Sequence, residues 1–264
     1  MSATTALEPM TEAAAEAAIG AACRSLHLPT VRIEGAALAD QAAKARLTHR
    51  AFLAEVLCAE VDERDGRRRA RRIVEARFPR LKRLGDFDLA AAPAINPATF
   101  AALAAGGWID AGEPVCLIGD SGTGKSHLLI GLGIAACEAG RRVRYVTCAA
   151  LVNELAEAAD ERTLSKLVAR YGRLDLLCLD EVGYVSVDAR GAELLFQVIT
   201  EREERASIAL ASNASFSEWG QTFGDPRLAA AVVDRLTFRA HIVETGSDSY
   251  RLRSARARKG SPKT

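Results

Sequence analysis

Two apolar rhythms divide the chain. From Leu26 to Phe78, "LHLPTVRIEGAALADQAAKARLTHRAFLAEVLCAEVDERDGRRRARRIVEARF" repeats its apolar residues at helical spacing. That stretch predicts two or three helices, with an early break at Pro29 and a dip at Gly66. The Ala-rich residues before it predict no more than a frayed helix. After it, "PRLKRLGDFDLAAAPAINP" carries three prolines and reads as a connector. From Glu113 onward the period shortens. "PVCLIG", "RRVRYVT", "LDLLCLD", "SIALAS" and "HIVET" are short apolar runs compatible with strands. "KSHLLIGLGIAACEAG", "AALVNELAEAADE", "GAELLFQVITEREER" and "RLAAAVVDRL" between them are helical in pattern. Strands alternating with helices predict an α/β fold, a parallel five-stranded sheet with helices on both faces. A small all-helical N-terminal domain precedes it. The expected division is a low-information segment 1–26, a helical domain 27–83 with a basic segment, a domain 84–253, and a basic tail 254–264.

Composition adds limits. The chain has 264 residues, 49% hydrophobic and 26% charged, enough for one α/β domain with an appendage. Net charge is +1, so there is no overall basic field. Locally the balance differs: Arg64 to Arg83 holds ten basic residues against Asp65 and Glu75, and Arg251 to Thr264 holds six against none. The six cysteines show no CxxC spacing and the four histidines are scattered, which argues against a disulfide framework or zinc site. Glu8, Glu12 and Glu16 near the start do not suit a secretory signal, and no apolar run approaches the ~18 residues of a membrane span. These features point to a soluble cytoplasmic protein with no membrane partner.

The chemistry is carried by "CLIGDSGTGKSHLLIG", Cys116 to Gly131. Gly119, Gly124, Lys125 and Ser126 fit G-x-x-x-x-G-K-[ST], directly after a predicted strand and at the opening of a helix. Glycines let successive N–H groups turn inward toward phosphate oxygens, and the helix start adds unpaired N–H groups and a positive dipole end. Gly119, Asp120, Ser121, Gly122, Thr123, Gly124, Lys125, Ser126 and His127 are therefore the candidate nucleotide loop. Lys125 would bridge β- and γ-phosphates, and the Ser126 hydroxyl would ligate Mg²⁺. A chance glycine-rich turn is the bland alternative, disfavoured by the strand and helix on either side.

"LDLLCLDEVGY" offers a metal-side carboxylate, Asp180, at the end of an apolar strand, with Glu181 next to it as candidate general base. Asn213 follows "SIALAS" and could hold a water or the γ-phosphate. Arg235, in "AAAVVDRLTF", could neutralise charge at the γ-phosphate of an adjacent subunit. From the residues alone, an ordinary turn asparagine and an ordinary helix-end arginine are the commoner readings.

Together these segments resemble the IstB-like ATPases, helpers of transposition encoded by bacterial insertion sequences. These stand with the DnaC-type helicase loaders and DnaA in one branch of the AAA+ superfamily. The likeness runs from about Leu26 to Arg253, through "LHLPTVR", "ARFPRLKRLGDFD", "GDSGTGKSHL", "LLCLDEVGY", "LLFQVITERE", "SNASFSEWGQTFGD", "DRLTFRAHIVE" and "DSYRLR". Asp120-Ser121 replaces the more usual Pro-Pro, and Ser126 a threonine. The resemblance implies an AAA+ P-loop NTPase fold with no C-terminal lid. It implies Asn213 as γ-phosphate sensor, Arg235 as a finger acting in trans, and Phe87 and Asp88 near the adenine. It also implies ATP and Mg²⁺ as cofactors, ATP hydrolysis, a homo-oligomer with ATP at its subunit interfaces, duplex DNA, and a partner transposase of the IstA type. Arg67, Arg68, Arg69, Arg71, Arg72, Lys82 and Arg83 are the candidate DNA contacts, with a solvated helix face as their plain alternative. A DnaC-like helicase loader is the nearest rival. A small-molecule kinase and a non-hydrolysing DNA clamp are readings of other classes.

Overall fold

The computed structural model describes residues 10–250 apart from Val185 and Asp248, so the basic tail lies outside the described residues. The chain divides into two compact units, one ending at Arg68 and the other beginning at Arg69. The division falls inside a helix and not at 83. The last turns of that helix belong to the second unit because Ile73 and Ala76 pack into its core.

The first unit holds α1 (Glu12–Ser25), α2 (Pro29–Lys44) and the start of α3 (His49–Ala76). The Ala-rich segment expected to fray is a capped helix. The Thr11 side chain accepts from the Ala14 N–H, Glu12 sits in the first turn and Arg24 in the last. Pro29 opens α2 instead of breaking it, since the first helical position needs no N–H donor. Gly66 causes no dip either. The pairs Arg64–Glu60, Arg67–Glu63 and Arg71–Glu75, four residues apart, run along α3 on both sides of it. Leu28 gives α2 no side-chain cap, and Glu60 supplies one from α3. Its Oε2 accepts from the N–H groups of Thr30 (2.8 Å) and Val31 (3.2 Å). Burial pushes the Glu60 carboxyl up, but the Val31 and Thr30 amides and the Arg64 guanidinium outweigh it and hold it below the usual carboxylate range.

In the second unit, α4 (Pro97–Ala105) and α5 (Gly107–Asp110) lead into β1 (Val115–Ile118). Next come α6 (Lys125–Glu138), β2 (Val143–Thr147), α7 (Cys148–Asp160), α8 (Leu164–Gly172) and β3 (Leu176–Val182). The chain continues through α9 (Ala189–Arg202), β4 (Ser207–Ser212), α10 (Trp219–Thr222), α11 (Pro226–Thr237) and β5 (His241–Glu244). All five expected strands form one parallel sheet in the order β2-β3-β4-β1-β5. Alternation along each strand feeds two cores. Val115, Leu117, Leu176 and Cys178 face α4–α6, whereas Cys116, Leu177 and Leu179 face α7–α11. The helices α4, α5, α8 and α10 went unpredicted. They are short, nine residues at most, and carry too few turns for a period to stand out. Among the described residues, no helix is long and apolar enough to cross a membrane.

At the end of α9, Arg202 is 1% exposed. Its Nη1 donates to the carbonyls of Tyr171 and Leu174, and its Nη2 to the Ser207 carbonyl at 2.6 Å, joining α8, the turn before β3, and the start of β4 at the lower edge of the sheet. Burial, opposed by smaller upward pulls from Cys178 and Asp175, brings the guanidinium down to about 10, so it stays protonated at neutral pH. Arg202→Ala would strand all three acceptors. We expect a loss of about 3–5 kcal/mol in unfolding free energy, read from the urea midpoint.

Candidate functional site

The phosphate-type loop lies between β1 and α6, at the edge where the parallel strands end. Backbone contacts stitch it down on two sides. The Gly119 N–H donates to the Ser212 carbonyl that ends β4 (3.3 Å), and the Asp120 N–H to the Gly246 carbonyl after β5 (3.1 Å). Gly119 must be glycine: with φ at +151°, a Cβ would lie 2.5 Å from Thr245 Oγ1 and 2.8 Å from the Gly246 carbonyl oxygen. Gly124, at φ +101°, begins α6, and its Cβ would meet the Phe87 ring at 2.9 Å. The Thr123 hydroxyl donates to the Asp120 carbonyl (2.9 Å) and lies 2.6 Å from the Thr245 hydroxyl.

Lys125, 6% exposed, folds its ammonium along the loop, donating to the carbonyls of Gly119 (2.5 Å) and Asp120 (2.7 Å). Next to it, the Ser126 hydroxyl donates to Asp180 Oδ1 at 3.2 Å, so the loop and the end of β3 meet through two oxygen ligands. Asp180 is buried and held by two further donors. The Glu181 N–H reaches Oδ1 (2.8 Å) and the Tyr145 hydroxyl reaches Oδ2 (2.6 Å). Burial, then the Asp180 carboxylate, push the Tyr145 phenol well above its ordinary range, so it stays a donor.

The register of β3 against β4 shifts between Leu179 and Val182, one residue being extra on β3. Within that bulge Glu181 takes φ +60°, a conformation that costs a non-glycine residue about 1 kcal/mol or more. Asp180 thus turns inward beside Ser126 while Glu181 stays exposed.

A cleft of about 480 Å³ opens over the loop, bordered by Phe87, Lys125, Ser126, Glu181, Asn213 and Tyr250. Ser121 to His127 and Asp88 border it as well, whereas Gly119 and Asp120 do not. Phe87 lies on one wall, stacked on Phe100 at 5.8 Å between ring centroids and edge-on to His127 at 5.3 Å. Asp88 accepts from the Ala91 N–H (3.1 Å) and fixes the turn behind Phe87. The residues present fit a nucleoside triphosphate with Mg²⁺. Glycines at 119 and 124 permit the loop's close backbone path, an ammonium lies along it, and a hydroxyl and a carboxylate supply hard oxygen ligands.

Residues 21–258 match the family described as IstB-like ATP binding protein. The chain belongs to that family. It is 38% identical over 241 residues to an insertion-sequence ATP-binding protein of Sinorhizobium fredii, covering 91% of this chain and 81% of the relative. It is 37% identical over 219 residues to the IS21 ATP-binding protein of Pseudomonas aeruginosa, covering 83% of each. Among solved structures, the replication initiator DnaA bound to AMPPCP and single-stranded DNA superposes with a TM-score of 0.52 at 22% identity. That match covers 67% of this chain and 53% of DnaA, and shows a shared fold.

Other expected site residues of this IstB-like chain are dispersed. Arg235 does not border the nucleotide cleft. It pairs with Glu203 at 2.9 Å, stacks over Phe196 at 4.5 Å, and lines a different cavity with Gly112. The basic run is not one uniform face. Arg67, Arg68 and Arg71 pair with carboxylates three, four or seven residues away on α3, and Arg83 pairs with Glu138. Arg69 and Arg72 have no such pair among the described residues. Lys82 borders the nucleotide cleft, as does Arg80.

Sequence reasoning missed Tyr145 and Thr245. The signal for Tyr145 was a phenol at a strand position alternating with Arg144 and so facing inward, whose hydroxyl needs a partner once buried. Tyr145→Phe would leave Asp180 Oδ2 without its donor. The expected loss is about 1–3 kcal/mol of unfolding free energy, measured by urea titration.

Proposed function

We propose that this chain is the ATP-dependent helper of an insertion sequence. It binds and hydrolyses ATP, assembles on duplex DNA in the cytoplasm, and recruits and stimulates a partner transposase. The observation that carries the nucleotide chemistry is the Ser126–Asp180 contact at the mouth of a loop containing Lys125. The names of the insertion-sequence relatives support the biological setting.

In this reading the loop N–H groups and Lys125 hold the β- and γ-phosphates, and Phe87 and Asp88 flank the adenine. Ser126 and Asp180 hold Mg²⁺, which supplies a positive charge against the phosphate oxygens. Glu181, the exposed carboxylate of the pair, accepts a proton from the attacking water, and Asn213, just past the end of the neighbouring strand, orients that water or the terminal phosphate. Arg235 lies outside its own cleft, which supports action in trans: the arginine of one subunit completes the site of the next. ATP would thereby couple its own binding to assembly. Many subunits set along a duplex would add weak charge contacts from Arg69, Arg72 and their neighbours into strong binding with little sequence preference. Lys82, at the nucleotide cleft, would serve the phosphates instead.

Calorimetry at millimolar Mg²⁺ should register ATP uptake by the full chain and none by Lys125→Ala. Glu181→Gln should keep ATP affinity within a few-fold and slow hydrolysis at least ~100-fold. Identical heats for the native chain and Lys125→Ala would end this reading.

Arg235→Ala should lower hydrolysis in DNA-bound assemblies by about 10³-fold. Mixing it with Lys125→Ala should restore part of that rate, because some interfaces then pair an intact loop with an intact arginine. No recovery on mixing would end the assignment of Arg235 as acting in trans; capture of a hexameric helicase by the native chain, or a strong preference for single strands, would favour the helicase-loader alternative.

A further inference from the structure

A second cavity, of about 360 Å³, opens beside the start of β2 and shares no lining residue with the nucleotide cleft. Its wall carries five guanidinium groups, Arg72, Arg77, Arg142, Arg144 and Arg170, and a single carboxylate, Glu75. They come from three places: the end of α3, the edge strand with the residue before it, and the end of α8. Two of the five are neutralised, Arg142 by Asp175 at 2.8 Å and Arg170 by Glu154. Glu75 is itself taken by Arg71 at 2.7 Å. Arg72, Arg77 and Arg144 have no carboxylate within ion-pairing distance among the described residues.

We propose that this cavity seats a phosphate of a nucleic-acid backbone, held by Arg72, Arg77 and Arg144. Like charges gathered without acids repel one another, and a bound anion relieves that repulsion. Guanidinium forks match phosphate oxygens two at a time, and a cavity this narrow admits a phosphate with its sugar. Arg69 lies one turn before Arg72 on α3, exposed and likewise without an acid partner, so the positive charge extends along the helix as a polymer of regular anions requires. The inference rests on the DNA-binding reading above. It adds a surface that the basic run does not contain, since Arg142, Arg144 and Arg170 come from elsewhere in the sequence.

The test is fluorescence anisotropy of a labelled random-sequence duplex with the full chain, ATP and Mg²⁺, between about 50 and about 200 mM salt. The double variant Arg77→Ala/Arg144→Ala should bind about ten-fold more weakly, and its slope of log affinity on log salt should be shallower by about 2. ATP uptake should stay unchanged, which also reports that the variant folds. Arg77→Gln alone, at an exposed position, is expected to reduce the slope by about 1 and keeps the question open to measurement should the double variant not fold. The control Arg162→Ala/Arg227→Ala removes the same charge at exposed positions outside the cavity and should match the native chain. Native affinity in the cavity variants, or an equal loss in the control, would overturn the proposal. So would poly-glutamate that binds the native chain without displacing DNA and no longer binds the cavity variants, which would assign the cavity to an acidic protein. Failure of the native chain to bind any duplex would instead overturn the helper reading itself.

Discussion

The buried Asp180 carboxylate is the point on which the site depends. Both of its oxygens are engaged, one by the Glu181 N–H and the Ser126 hydroxyl, the other by Tyr145. A carboxylate buried this far is tolerated only when its acceptor capacity is used. Once it is used, three elements cannot move independently: the helix that begins at Lys125, the strand that carries Tyr145, and the bulge that carries Glu181. The loop geometry is thus a consequence of sheet packing as much as of glycine content.

The sheet explains why these parts can meet. In a parallel order with β1 between β4 and β5, the loop after β1 borrows carbonyls from both neighbours, Ser212 and Gly246. Covering both faces with helices leaves the strand ends as the one place where polar groups converge. At the opposite edge a single buried guanidinium, Arg202, satisfies carbonyls of α8, of the turn before β3 and of β4 at once.

The five strands and the loop were legible because each rests on a local rule: an apolar run, a glycine pattern, an acid at a strand end. Asp180 and Glu181 were found the same way, as adjacent acids after an apolar strand. Their separation into one buried and one exposed group was not legible, because it depends on a one-residue register shift against β4. Tyr145 and Arg202 escaped for a related reason. Each looks ordinary in its own segment and acquires much of its role from backbone or side chains 28 to 35 residues away. Gly66 and Pro29 misled in the other direction. Their local preferences for a dip and a break yielded to ion pairs along α3 and to the first-turn position in α2. The candidate DNA residues were identified as charges, but a charge count does not reveal which arginines already hold an acid.

The sheet order has one more consequence. It leaves β2 with an open side, and an open strand invites another chain's strand to join it. Arg142 and Arg144 stand at that margin, and guanidinium groups there resist strand addition. At that one margin, crowded copies of this protein are thereby discouraged from joining sheet to sheet.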